Sequence, residues 1–123
     1  MSQTPMWQPN PLQAATTNMG RFMTEVAHRW AEEVPDYAAL HQWSVNRRAD
    51  FWSTGWDFCA VRAATRGKVA LRNGGAMPGA QWFPQARLNF AENLLRGEGP
   101  GDAIVFWGED RVKRCLSHAD LRQ

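Results

Sequence analysis

Seven tryptophans within 123 residues restrict the folds that this chain can adopt. Each tryptophan that becomes buried removes about 150–250 Å² from water, so seven represent a large apolar surface for a chain that can form only one ordinary domain. A domain of this size has too little interior to enclose them all. We therefore expect several tryptophan rings to lie exposed or to contact a surface outside the chain.

Charge and cysteine content exclude several classes of protein. The net charge of +2 is too small to indicate nucleic acid or an anionic membrane as a partner. No run of 18 apolar residues is present, and the first residues lack the basic and apolar segments of a secretory leader. Cys59 and Cys115 have neither metal nor redox spacing and are expected to be reduced and separate. We expect a soluble, cytoplasmic protein.

The first half of the chain reads as helical. Residues 1–15 form an extended, proline-rich stretch with Trp7 as its expected anchor. Thr17 is the expected N-cap of an amphipathic helix that Pro35 closes. The apolar positions of this helix recur at helical spacing: Met19, Phe22, Met23, Val26, Ala27 and Trp30.

Two further helices are predicted before residue 65. Asp36 caps a short one, with Tyr37, Leu40 and Trp43 on one side. The next begins at Asn46 and has an apolar arc wider than one stripe, which indicates contact with more than one neighbour. Gly55 lies within it and weakens the helix by about 1 kcal/mol relative to alanine, so we expect close packing or a bend there.

The second half mixes loops with short elements. Residues 65–85 read as loop, with one strand candidate at 68–71. Residues 87–96 read as a short helix, with Asn89 as N-cap and Glu92 returning to the Asn89 amide in a capping box.

Residues 102–107 and 111–116 read as a buried strand and a half-buried partner strand. Ser117 and Asp120 are typical of a helix start. A hairpin and so short a helix are marginal by themselves. We interpret them as the opening of a truncated α/β domain, with a frayed natural C-terminus as the alternative.

The predicted class is therefore α+β, a helix-rich region followed by a short β-hairpin that begins a large α/β domain. The expected divisions are the extended stretch 1–15, the helical region 16–101, and residues 102–123 as the first strands of a truncated AMP-binding domain.

Residue types that carry chemistry form no catalytic pattern. His28, His41 and His118 lack metal-ligand spacing with cysteines or carboxylates. The glycines at 74–79 and 97–101 match no phosphate-binding loop, and no serine or cysteine has a nucleophile setting. We predict no catalytic residue, no metal site and no cofactor held by these residues.

A basic stretch from Arg62 to Arg87 is less easily explained. Between Asp57 and Glu92 there is no acidic residue, but there are five basic ones. Such a stretch suits nucleic acid, a phosphate-rich cofactor such as coenzyme A, or an acidic neighbouring surface. Its aromatic neighbours lie beside prolines and do not alternate as in an RNA-binding sheet, so docking to another part of the same polypeptide is favoured.

Residues 77–97, MPGAQWFPQARLNFAENLLRG, place prolines and glycines around aromatic residues and a short helix. We call this segment the strap and interpret it as a docking segment whose partner surface lies largely outside the chain. Two buried rings, at about 1.5–3 kcal/mol each, suffice to hold a loop with few backbone hydrogen bonds. The candidate docking residues are Trp82, Phe83, Arg87, Asn89 and Asn93.

Several of these segments resemble a known family. RFM, YAALHQWSVNRRADFW, WDF, MPGAQWFPQARLNFAENLL and AIVFWGED stand in the order and spacing of the N-terminal region of acetoacetyl-coenzyme A synthetases, which are adenylate-forming acyl-CoA synthetases. CLSHADL resembles the strand-to-helix step where relatives have Leu/Ile-Thr-Tyr, and it departs from that pattern at Ser117 and His118. The similarity runs from about Trp7 to the end.

The resemblance implies a ligase of lipid and ketone-body metabolism that joins acetoacetate to coenzyme A with ATP and Mg²⁺ through an acyl-adenylate. The family's phosphate loop and catalytic lysine lie further along its polypeptide, so this piece alone is expected to be inactive and to have the remaining polypeptide as its partner. Two alternatives stay open at this stage. One is a free-standing, non-enzymatic helical module that binds through a Trp-rich face, and the other is a decayed remnant.

Overall fold

The structure of the chain is a computed structural model that describes residues 6–123. The chain divides into two compact units. The first contains the chain up to Val61 together with Gly67–Gln85, and the second contains Arg62–Arg66 and Ala86–Gln123. The strap therefore begins in the first unit and ends in the second.

Six helices and four strands occur among the described residues. The helices are α1 (Pro11–Thr16), α2 (Asn18–Trp30), α3 (Tyr37–Asn46), α4 (Arg48–Phe58), α5 (Phe90–Leu94) and α6 (His118–Leu121). The strands are β1 (Leu71–Arg72), β2 (Gln81–Trp82), β3 (Asp102–Trp107) and β4 (Lys113–Ser117). This helix-rich chain with short antiparallel strand pairs confirms the predicted α+β class.

Helix α1 lies where the sequence predicted extended chain. Asn10 caps it, since its side chain accepts from the amide of Leu12 at 2.9 Å, and Pro11 occupies the first helical position, where proline is tolerated. The prediction of an extended stretch was therefore wrong for residues 11–15. Trp7 is exposed, so it does not anchor this segment, and residues 1–5 of the same prediction lie outside the described part.

The core of the first unit lies where α2, α3 and α4 meet. Phe22 and Val26 of α2 and Leu40 and Trp43 of α3 are its buried apolar side chains. The Phe22 ring meets two rings of α4 edge-on, those of Phe51 and Phe58, with centroids 5.5 and 5.1 Å away. The predicted stripe of α2 and its Thr17 cap are thereby confirmed.

A buried threonine joins two of these helices. Thr54 of α4 is fully buried, donates its hydroxyl to the Asp50 carbonyl at 2.8 Å and accepts from Trp30 Nε1 at 2.8 Å. Both partners of the hydroxyl are thus within the protein, as a buried polar group requires. The apolar pattern of α4 in the sequence does not indicate this buried threonine.

Helix α4 is shorter than predicted, and the surroundings of Gly55 differ from the expectation. It begins at Arg48 and not at Asn46, and it ends at Phe58. A Cβ added to Gly55 would meet no atom within 4 Å, so the expectation of close packing there was wrong. The helix continues through Gly55 without interruption.

The loop of the first unit contains a small strand pair. β1 and β2 are antiparallel, with Leu71 opposite Trp82 and Arg72 opposite Gln81. The strand predicted at 68–71 is therefore displaced towards Leu71–Arg72, and the predicted loop includes a second strand. Phe83 follows with a positive φ of 41°, and its amide donates to the Ala70 carbonyl at 2.9 Å.

The second unit contains the predicted hairpin. β3 and β4 pair antiparallel, with Ile104 opposite Leu116 and Trp107 opposite Lys113. The burial predicted for both strands was wrong for this chain, because the large apolar side chains of β3 are about half exposed or more, up to 72% at Trp107, and the residues of β4 are exposed except Ser117. Both faces of the hairpin carry them, as in a strand that is covered on both sides.

The last helix begins as predicted. Ser117 and Asp120 form a capping box at the start of α6: the Ser117 hydroxyl accepts from the Asp120 amide at 3.1 Å, and the Asp120 carboxylate accepts from the Ser117 amide at 3.2 Å. The same carboxylate accepts from the Ser117 hydroxyl at 2.6 Å. These hydrogen bonds, the hydroxyl first, lower the pKa of Asp120 from its ordinary value.

Candidate docking surface

The aromatic residues of the strap lie against α4. Trp82 meets Trp52 edge-on, with ring centroids 5.7 Å apart, and Phe83 contacts Trp56 at 4.6 Å. Trp82 and Phe83, whose partner surface was predicted to lie largely outside the chain, thus contact rings within it. Trp82 keeps 43% of its surface exposed and Trp52 keeps 50%, so this pair also presents area to a further neighbour.

These contacts explain the wide apolar arc of α4. One side of the helix, through Phe51 and Phe58, faces the core, while Trp52 and Trp56 face the strap. The prediction of more than one neighbour is confirmed. The width of the arc indicated a second neighbour, but no sequence pattern identified the strap as that neighbour.

In the second unit, Arg87 fixes the main chain of the strap. Arg87 and Thr65 form an antiparallel bridge, in which the Arg87 amide donates to the Thr65 carbonyl at 2.8 Å. The Arg87 carbonyl accepts from the amides of Ala64 at 2.8 Å and Thr65 at 3.3 Å. The side chain of Arg87 remains exposed.

Asn89 and Asn93 hold the helix that follows. Asn89 is the N-cap of α5 and accepts from the amides of Ala91 at 2.9 Å and Glu92 at 3.4 Å. Within residues 6–123 no hydrogen bond returns from the Glu92 side chain to Asn89, so the predicted capping box is reduced to a simple cap. A five-residue helix gains little from propensity and depends on such caps and on packing.

Asn93 lies within α5 and joins this helix to the segment Arg62–Arg66. Its Oδ1 accepts from the Arg62 amide at 2.8 Å, and its Nδ2 donates to the Arg62 carbonyl at 2.8 Å and to the Asn89 carbonyl at 2.9 Å. The Arg96 guanidinium donates to the same Oδ1. Of the five candidate docking residues, two lie in the first unit and three in the second.

One face of the hairpin adds an open apolar surface in the second unit. A shallow depression of about 450 Å³ lies there, lined by apolar side chains and by Arg114. The apolar ones are Ile104, Phe106, Val112 and Leu116. The opposite face carries Trp107, with the Lys113 ammonium 4.6 Å from its ring centroid.

The described residues show no catalytic arrangement. Among residues 6–123 there is no group of three or more His, Cys, Asp or Glu side chains that could hold a metal ion. Within the same range, none of the helices has the length and apolar character needed to cross a membrane. What this geometry can do is present apolar and cationic surface to a partner.

Comparison with known proteins shows which proteins this chain is similar to. A family model described as the acetyl-coenzyme A synthetase N-terminus matches residues 37–94, which include α3, α4 and most of the strap. The solved acetoacetyl-CoA synthetase from Streptomyces lividans superposes with a TM-score of 0.85 at 36% identity, covering 95% of this chain and 19% of that one. This chain matches the N-terminal region of acetoacetyl-CoA synthetases.

Curated relatives agree with this assignment. The acetoacetyl-CoA synthetase of Rhizobium meliloti is 41% identical over 121 residues, covering 98% of this chain and 18% of the relative. The malonamoyl-CoA synthetase vrtB of Penicillium aethiopicum is 38% identical over 115 residues, covering 88% and 16%. The chain thus spans about one fifth of the length of these synthetases. The free-standing, non-enzymatic module finds no support in these matches.

Proposed function

We propose that this chain is the N-terminal segment of a larger acetoacetyl-CoA synthetase. The whole protein would join acetoacetate to coenzyme A: acetoacetate attacks ATP to give an acyl-adenylate and pyrophosphate, and the thiol of coenzyme A then displaces AMP. Such an enzyme would act in the cytoplasm, in lipid and ketone-body metabolism. The observation that carries this proposal is the match to the Streptomyces lividans synthetase over 95% of the chain.

The segment itself would have a structural role. The described residues offer neither a phosphate-binding loop nor a metal-ligand cluster, so they do not fit ATP, Mg²⁺ or coenzyme A by themselves. Those ligands would be held by the remaining four-fifths of the polypeptide, and the isolated segment would be inactive.

The hairpin supports a large remaining part. Its apolar side chains lie exposed on both faces, at Ile104 and Phe106 on one and at Val105 and Trp107 on the other. A two-stranded hairpin with two apolar faces is stable in water only when other elements cover it. The remaining polypeptide of a synthetase would supply that cover, and residues 102–123 would then be the first strands of its AMP-binding domain.

The direct test is to read the coding frame past Gln123, express the full protein that it encodes, and measure ATP-dependent formation of CoA thioesters. We expect activity with acetoacetate, release of AMP and pyrophosphate, and weaker activity with acetate and malonamate. Thioester formation that favours malonamate would replace the proposed substrate but not the enzyme class. A stop codon after Gln123, with a monomeric and cooperatively folded 123-residue product, would overturn the proposal.

A chimera tests the role of the segment separately. The chain replaces the aligned N-terminal segment of the Rhizobium meliloti synthetase, with which it shares 41% identity. We expect the chimera to form acetoacetyl-CoA, and the synthetase without any N-terminal segment and the 123-residue chain alone to be inactive. A chimera that folds but stays inactive, beside an active one that carries the corresponding segment of the Streptomyces lividans synthetase, would contradict the assigned role.

A further inference from the structure

Trp82 and Phe83 follow each other in the chain, and both rings contact the same side of α4. The rings that they meet, Trp52 and Trp56, are four residues apart and are therefore neighbours on one face of the helix. In an extended strand, successive side chains point to opposite faces. Contact of two successive rings with one helix face therefore requires a departure from the extended backbone.

That departure lies at Phe83. Its φ of 41° is in the left-handed region, although its amide still donates to the Ala70 carbonyl at 2.9 Å in continuation of the β1–β2 pair. A bulky residue adopts this conformation rarely and at a cost in free energy. Pro84 adds to the cost, because a residue before proline favours an extended backbone. Such strain persists only where surrounding contacts impose it, and here the hydrogen bond to Ala70 and the Trp56 ring do so.

The segment that contains the strained residue has no buried part. We call residues 71–85 the clasp; all of them are described, and each is exposed or only half-buried. The two strands of the clasp have two residues each, and Met77 between them is fully exposed. A polar contact from Arg48 Nη1 to the Gly74 carbonyl, at 2.7 Å, also joins the clasp to α4. Segments with so little buried surface open at a lower free energy than a helical core does.

We propose that the clasp is a two-state element that opens and closes on α4 while the helical core of the first unit stays folded. In the closed state, the contacts of Trp82 and Phe83 with α4 offset the strain. In the open state, Phe83 returns to an ordinary backbone conformation, and the rings of Trp52 and Trp56 are uncovered. The clasp would thereby control access to an apolar face of α4. This device belongs to the chain itself and does not depend on the function proposed above.

Native-state hydrogen exchange of the 123-residue chain tests for the open state. The Phe83 amide reports on the clasp, and the amide of the fully buried Val26 reports on the core. We expect protection of the Phe83 amide to be at least about tenfold lower than that of Val26. Low concentrations of urea should reduce protection steeply at Val26 and only weakly at Phe83, because opening of the clasp exposes less surface than global unfolding does.

Removal of a ring from α4 tests what holds the clasp closed. Trp56→Ala should lower protection of the Phe83 amide about threefold to tenfold, as expected for loss of an aromatic pair. Unchanged protection at Phe83 in this variant would show that the ring contact does not hold the clasp.

Two variants that both lack the Phe83 ring test the strain without any change in α4. Phe83→Ala and Phe83→Gly differ in the backbone freedom of residue 83, so protection of its amide should be about fivefold higher with glycine. Ala80→Gly is the matched control, because Ala80 lies in the clasp outside the left-handed region. There glycine should lower protection at Phe83 about twofold to fivefold.

Two results would overturn the proposal. Equal protection of Phe83 and Val26, with the same dependence on urea, would mean that the clasp opens only when the whole unit unfolds. Lower protection with glycine than with alanine at residue 83 would mean that the closed clasp stores no strain. The comparison at residue 83 decides the second point even where Trp56→Ala fails to fold.

Discussion

The side-chain amide of Asn93 holds the main chain of Arg62 from both sides, accepting from its N–H and donating to its carbonyl, each at 2.8 Å. It thereby fastens the end of the strap to the segment that follows α4 in sequence. An asparagine side chain carries both an acceptor oxygen and a donor NH₂ group, so one residue serves both main-chain groups of Arg62. A side chain of the same shape but without an amide would not form these two hydrogen bonds.

Replacement of Asn93 by alanine should therefore release this link. We expect a loss of about 1–2 kcal/mol in the free energy of unfolding, because the Arg62 amide and carbonyl both lose their partner. Hydrogen exchange of the Arg62 amide should accelerate at least tenfold. Asn46→Ala is the control, since Asn46 accepts one exposed hydrogen bond from Gln42, and should change stability by less than about 0.5 kcal/mol. Unchanged protection at Arg62 would contradict the geometry.

The cap of α5 gives a second prediction. Asn89→Ala should lower the stability of the full protein by about 1 kcal/mol, because the amides of Ala91 and Glu92 lose their acceptor. Asn89→Ser keeps a capping oxygen and should lose much less. Chemical denaturation of the three proteins measures both changes, and equal stability of all three would remove the cap assignment.

The contact between Trp82 and Trp52 can be measured with a double-mutant cycle. Each ring is replaced by alanine alone and in combination, and the coupling energy should be about 0.5–1.5 kcal/mol, the range for aromatic pairs. Trp82 with the exposed Trp7 of the same unit is the control pair, for which we expect additivity. A coupling near zero for Trp82 and Trp52 would mean that the strap does not rest on α4 in solution.

Local signals in the sequence predicted the helices and strands better than they predicted which side chains are buried. The stripe from Met19 to Trp30 and the cap at Thr17 depend on neighbours within one helix, and both were predicted correctly. Burial of β3 depends on contacts with other elements, which the strand's own residues do not reveal; its large apolar side chains were expected inside and lie exposed.

The candidate docking surface shows the same limit. The strap residues could be named from their types and spacing, but nothing local indicates that Trp82 and Phe83 contact Trp52 and Trp56. These contacts join residues about 30 positions apart, as does no pattern within the strap itself, and the β1–β2 register that brings residue 82 back to residue 71 is likewise non-local. The two-residue strands have too little pattern to be located from sequence, and the prediction at 68–71 was displaced for this reason.

Protonation of Asp120 should weaken the start of α6. Hydrogen bonds from Ser117 lower the pKa of this carboxyl from its ordinary 3.8, so the charged form stabilises the capping box above that value. This contribution is lost as the pH falls through the lowered pKa. In Ser117→Ala, an NMR titration of the Asp120 carboxyl should show the pKa return towards 3.8. Ser44→Ala is the control, and a pKa that does not respond to loss of Ser117 would remove the assigned cause.

Two helical glycines should respond in opposite directions to the same substitution. A Cβ at Gly20 would lie 2.5 Å from the Ala14 carbonyl oxygen and 2.7 Å from that of Ala15, so Gly20→Ala must push α1 away from α2. A Cβ at Gly55 would meet no atom within 4 Å, so Gly55→Ala gains helix propensity at no steric cost.

We expect Gly55→Ala to raise the free energy of unfolding by about 0.5–1 kcal/mol, and Gly20→Ala to lower it by about 1–3 kcal/mol. Urea unfolding of both variants beside the parent chain measures the difference. The same Gly55→Ala substitution in the chimera tests whether the remaining polypeptide contacts α4. If Gly55→Ala stabilises the isolated chain but destabilises the chimera, then the remaining polypeptide packs on α4 at Gly55, and the close approach first expected from the sequence exists only in the whole protein.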